Sequence, residues 1–131
     1  MKFIITAIFL SFAAAANAQD AEIQGVIDQQ FEAFKADDVD EAFSFASPNI
    51  QRLFRTPEMF GMMVQRGYPM VWRPGDVRYL ALEERDGQLV QRVLITDARG
   101  AVHALEYTMI EGADGWRIDG VVLLPAPDVA A

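Results

Sequence analysis

At Gly67 the hydrophobic pattern of this chain changes period. Before that point apolar side chains recur at helical spacing, as in Ile23, Val26, Ile27, Phe31 and Phe34, with Glu22, Asp28, Glu32 and Lys35 on the other side. After it they alternate. Four such runs follow: VRYLALEER (77–85), QLVQRVLITD (88–97), AVHALEYTMI (101–110) and WRIDGVVLL (116–124). Asp86-Gly87 is a strong hairpin turn, and ARG and GADG separate the later runs. Helices first and an antiparallel meander second predict an α+β fold, with N-terminal helices packed on one face of a strongly curved antiparallel sheet.

The helical half is punctuated by capping residues. Asp20 can cap a helix beginning at Ala21, and Asp38 with Glu41 forms an acidic version of the capping box. Ser47-Pro48 and Thr56-Pro57 each place a cap before a first-turn proline. Phe60, Met63 and Val64 should face inward, and Gly67 should end the helix. In GYPMVWRPGDV the two prolines hold Tyr68 and Arg73 extended, so Met70-Val71-Trp72 reads as a short edge strand. Alternation then puts Tyr68, Met70 and Trp72 on one side, with Val71 and Arg73 on the other.

Lys2, the uncharged apolar run Phe3–Ala15 and the small-residue end Ala16-Asn17-Ala18 form the pattern of a secretory signal peptide cut after Ala18. The remainder is expected to form a single domain, residues 19–124, with a flexible tail at 125–131. The expected location is periplasmic or secreted, with no stable membrane anchor after cleavage. The absence of cysteine excludes disulfides, thiolate chemistry and a lipid-modified N-terminus. From Gln19 onward ten Lys and Arg face nineteen Asp and Glu, a net charge of −9, which argues against nucleic acid as a partner. The charge is segregated. Gln19–Glu41 carries −7, whereas Arg52–Arg78, with five arginines and two acids, carries +3.

Several strands are apolar on both faces. His103, Leu105, Tyr107 and Met109 share one face of the third strand; Val102, Ala104, Thr108 and Ile110 share the other, interrupted by Glu106. A sheet with one wet face alternates more cleanly, so a homodimer through the sheet back is expected.

SPNIQRLFRTPEMFGMMVQRGYPMVWRP followed by GWRIDGV resembles the exported bacterial family known as domain of unknown function 4864, most specifically from Phe60 to Pro74. The order of elements resembles the wider cone-shaped superfamily of nuclear transport factor two, ketosteroid isomerase and scytalone dehydratase. That resemblance implies a cystatin-like cone, a pocket between the helices and the concave sheet face, and frequent dimers. It does not imply catalysis.

Candidate chemistry is sparse. His103, the only histidine, could serve as a general acid or base with Tyr107 as a donor; a hydrogen-bonded strand histidine is the simpler account. It cannot make a metal site by itself, and no ligand-spaced carboxylate cluster accompanies it, so neither a metal nor a cofactor is implied. Period-two counting puts Glu106 opposite His103 and Tyr107, sets Asp119 on the side of Arg117, where it should pair with Arg117 or with a neighbouring strand, and turns Trp116, Ile118 and Val122 inward. Asp97 should hold the following turn. Arg52, Arg55, Arg66, Arg73 and Arg78 are either an anion-gripping rim or internal partners of the acidic first segment. The residues singled out for ligand or partner binding are Tyr68, Trp72, Arg73 and Trp116. The expected role is a non-catalytic exported module that binds a small, partly apolar ligand or a partner protein. A small isomerase or dehydratase using His103 and Tyr107, and a structural assembly factor with a filled cone, are the alternatives.

Overall fold

The computed structural model describes the backbone of residues 8–125 and the side chains from Ala18 onward. Most of the expected signal peptide and nearly all of the expected tail lie outside the described side chains. Five helices, α1 (Ile8–Lys35), α2 (Val39–Ser44), α3 (Pro48–Phe54), α4 (Pro57–Gly67) and α5 (Pro69–Trp72), precede four strands. These are β1 (Asp76–Arg85), β2 (Gln88–Thr96), β3 (Val102–Gly112) and β4 (Gly115–Leu123), in one antiparallel sheet of order β1-β2-β3-β4. The fold is α+β, with the helices on one face of a curved, open sheet. None of the described helices is long and apolar enough to cross a membrane.

The local devices behave as their chemistry requires. Asp38 accepts from the Glu41 N–H, Ser47 from Ile50 and Thr56 from Met59, each beginning a helix. Pro48 and Pro57 occupy first turns. Asp86 and Gly87 both take positive φ, +55° and +80°, as a tight hairpin turn demands.

Three local expectations are corrected. Asp20 does not start α1, which runs unbroken from Ile8, because the alanine-rich stretch before it favours helix. Gly67 is the last residue of α4, as expected, but not as a left-handed cap; Tyr68 is the cap, its N–H bonded to the Val64 carbonyl. Residues 69–72 are a helical turn, not an edge strand. Proline fits either element, and a turn lets the adjacent Met70 and Val71 both reach the core. The expected alternation of Tyr68, Met70 and Trp72 against Val71 and Arg73 therefore fails.

One stripe of α1 (Ile23, Ile27, Phe31, Phe34) packs on Val93, Ile95, Leu105, Tyr107 and Met109 from the concave face. The Tyr79 hydroxyl bridges the layers, donating to Asp28 at 2.6 Å. Burial, reinforced by that carboxylate, pushes the Tyr79 phenol far above its ordinary pKa. On the far side of α4, Val39 lies against Gly61 so closely that a Cβ there would stand 2.6 Å from its Cγ1.

Two bulges modify the sheet. One lies in β1 between Tyr79 and Leu82; buried Gln91 fills it, donating to the carbonyls of Leu80 and Arg92. The other sits between Thr108/Gly120 and Met109/Ile118, so Asp119 is the extra residue in β4. It reverses the alternation beyond it. Trp116 and Ile118 face the core as expected, but Val121 rather than Val122 continues that face, and Val122 is 54% exposed.

On the convex face Glu106 accepts both Arg85 guanidinium nitrogens, at 2.9 and 3.0 Å, and Arg92 at 2.9 Å. Hydrogen bonds from Arg85, then Arg92, hold its carboxyl at about 2, against an ordinary 4.5. A depressed folded-state pKa contributes stability that is complete above pH 4.5 and disappears as pH falls toward 2. Glu106→Gln should therefore be less stable than wild type at neutral pH and show a shallower loss between those limits, read by denaturant titration across pH. Identical acid limbs would refute this role.

Candidate functional site

A largely apolar cavity of about 220 Å³ lies between the helices and β4. The short helices create it. The Ser47-Pro48 and Thr56-Pro57 breaks make α3 and α4 separate helices, α3 packing on β4 and α4 on α2 and α5. α1 supplies Gln30 and Phe34; α3 supplies Ile50, Leu53 and Phe54; α4 supplies Phe60, Met63 and Val64. Tyr68 and Val71 close one side, with Ile118, Gly120 and Val121 behind. Phe60 is the hub of the aromatic wall, its ring 5.3 Å from Phe43, 5.8 Å from Phe54 and 6.0 Å from Phe34.

The lining carries no charged side chain. Its side-chain donors bond backbone: Gln30 Nε2 donates to the Ala42 carbonyl at 3.0 Å, and the Tyr68 hydroxyl to the Val121 carbonyl at 3.2 Å. A charged ligand would lose its hydration there without gaining a partner, whereas a neutral apolar molecule would not.

The position of α3, and hence of the mouth, depends on Asp119. Its carboxylate accepts from Ser47 Oγ at 2.6 Å and Asn49 Nδ2 at 3.3 Å. Asp119 thus does not pair with Arg117, whose guanidinium bonds the Trp116 carbonyl instead. The bulge turns Asp119 toward the helix layer, where two donors await it.

Of the residues singled out from sequence, only Tyr68 lines the cavity. Trp72 packs on Phe34 with ring centroids 5.4 Å apart. Arg73 lies 4.9 Å above the Trp72 ring and donates to the Phe34 carbonyl at 2.7 Å and Asp37 at 2.6 Å. It thereby satisfies the last turn of α1, a favourable place for a cation. Trp116 is 8% exposed and belongs to the core. His103 bonds Asp97 Oδ2 at 2.8 Å, and Asp97 Oδ1 accepts the Arg99 and Ala101 N–H groups that form the turn. The His103 bond, then the backbone donors, hold Asp97 below the usual carboxylate range.

Tyr107 is fully buried, edge-on to Phe31, and its hydroxyl has no partner among the described residues. Burial pushes its pKa up. Neither His103 nor Tyr107 touches the cavity. Among the described residues no three His, Asp or Glu side chains converge as a metal site would need. Sequence reasoning missed Leu53, Phe54, Gln30 and Val121; the bulge concealed Val121, and the others carried no chemical signal.

Across residues 16–131 the sequence matches the family model described as Domain of unknown function (DUF4864). The chain belongs to this family. No curated protein matches it. Family membership thus extends over the whole described domain, including every cavity-lining residue.

Because the Tyr107 hydroxyl is buried without a partner, Tyr107→Phe should fold normally and gain about 1 kcal/mol, measured by chemical denaturation. A clear loss of stability would show that the hydroxyl is bonded in solution.

Proposed function

We propose that this family member is an exported, non-catalytic binding module whose cavity holds one small, neutral, predominantly apolar molecule. The neutral cavity of about 220 Å³ carries the reading. A dry apolar cavity of roughly 150 Å³ accommodates benzene, so this one suits a molecule of bicyclic size. It is smaller than typical drug-sized pockets of about 300–1,000 Å³, which points to a compact ligand. A pocket enclosed by helices and a concave sheet also supports placement in the nuclear-transport-factor-two-like superfamily.

Several features weigh against an isomerase or dehydratase centred on His103 and Tyr107. The two side chains sit outside the cavity, one tied to a turn carboxylate and the other sealed in the core. A wholly filled structural cone fits poorly with the open space between α3, α4 and β4. Trp72 and Arg73 support the cavity from behind through Phe34, leaving Tyr68 as the rim residue in reach of a ligand.

Fluorescence titration with 2-naphthol, a neutral bicyclic probe, tests the cavity. Wild type should bind it; Val121→Phe, which enlarges a lining side chain, should weaken binding at least about tenfold while retaining its melting temperature. Equal binding by both proteins would exclude the cavity as the site.

Export and assembly belong to the same proposal. Leu80, Ile110 and Val122, 37%, 38% and 54% exposed, leave apolar surface on strands β1, β3 and β4 that supports pairing of two copies through the sheet back. Native mass spectrometry of protein recovered from an exporting host should show a subunit beginning at Gln19, present as a dimer. A monomer in dilute solution would remove the pairing, and an uncut N-terminus would remove the cleavage.

A further inference from the structure

We propose that the outer face of α3 and α4 docks on an anionic lipid bilayer. Leu53, Met59 and Met62 are 68%, 56% and 43% exposed, and these three large apolar side chains fall within ten residues of one another. Arg52, Arg55 and Arg66 belong to the same segment, and among the described residues none of them pairs with a carboxylate; Arg52 bonds only Asn49. Arg73, Arg85 and Arg92 are paired; Arg78, Arg99 and Arg117 make no ion pair among the described residues either, but they lie outside α3 and α4.

Helical spacing gathers the features. Met59, Met62 and Arg66 follow one another at three and four residues, so they form one stripe of α4, adjoining cavity-lining Met63. Leu53 contributes to the cavity wall from α3 while remaining two-thirds exposed. Gly61, on the opposite side of α4, faces Val39 and so directs the acidic α2 away from the stripe.

Exposed apolar tips with arginines in the same segment form a combination that binds at a bilayer interface, the tips entering the acyl boundary and the guanidinium groups gripping headgroup phosphates. Exposed Glu58 on α4 opposes the three arginines by one charge, and Arg52 and Arg55 stand on the flank of α3 that faces Phe43. The net negative charge of the chain opposes approach to an anionic surface at long range. Screening within about 8 Å at physiological salt leaves the local arginines to decide the contact. A bilayer is favoured over an acidic protein partner because Leu53, one of these tips, also lines a neutral, apolar cavity, as does Met63 next to Met62. The face that meets hydrocarbon would be the face through which an apolar ligand passes.

The test is co-flotation with vesicles of phosphatidylglycerol and phosphatidylcholine, against vesicles of phosphatidylcholine alone. All variants keep the same N-terminus, so its contribution cancels. Wild type should prefer the anionic vesicles and be released by high salt. Arg52→Gln/Arg55→Gln/Arg66→Gln should lose partitioning by about a hundredfold, at about fivefold per arginine. Leu53→Ser/Met59→Ser/Met62→Ser should lose it as well; both sets are surface changes, with folding checked by melting temperature. Val121→Phe should partition as wild type, so failure of the surface and failure of the cavity are separately visible. No wild-type flotation, an undiminished arginine variant, or capture by an acidic protein without flotation would each overturn the proposal.

Discussion

Helix α3 is held to the sheet by one serine. Ser47 Oγ donates to Asp119 in β4 and accepts from the Ile50 N–H at the start of α3. Its backbone N–H meanwhile bonds the Ile118 carbonyl, beside the bond from Ile118 N–H to the Phe45 carbonyl. A helix start, a strand bulge and the link between them are thus one hydrogen-bonded unit, fully removed from solvent at Ser47. Where α3 sits decides where Leu53 and Phe54 stand, and these bound the cavity. The space available to a ligand is set by a polar contact that never touches it.

Features read correctly from sequence act over short distances. A cap reaches three residues, so Asp38, Ser47 and Thr56 were visible in their own neighbourhoods. Asp86-Gly87 needs only its own backbone conformation. The change of period at Gly67 was enough to separate a helical half from a sheet half. Features that escaped the sequence depend on distant partners. Asp119 lies 72 residues from Ser47, and nothing near it signals a bulge. That one extra residue exchanged Val121 for Val122 on the concave side. Residues 69–72 obey proline chemistry as strand or as helical turn, and the buried positions of Met70 and Val71 settled the choice.

The candidate site was legible in outline only. Tyr68, Trp72 and Arg73 do not act as a unit, because Tyr68 stands at the start of α5 and the other two at its end. Trp72 and Arg73 clamp the end of α1 through Phe34 and Asp37, which accounts for their unusual composition without a ligand. The cavity has no sequence motif. It is a volume left between independently placed elements, and its lining is chemically plain. What did survive from the sequence is charge segregation: the basic segment contains the unpaired arginines of α3 and α4 as well as the clamped Arg73.

The contact between Val39 and Gly61 has a consequence for how such a chain can drift. With no room for a Cβ at position 61, a larger residue there forces α2 off α4 unless position 39 shrinks at the same time. The two positions form a lock with two keys, and neither turns alone. α4 carries cavity wall on one flank and this seam on another, so a change at residue 39, remote from any ligand, would be felt as a shift in the ligand's enclosure.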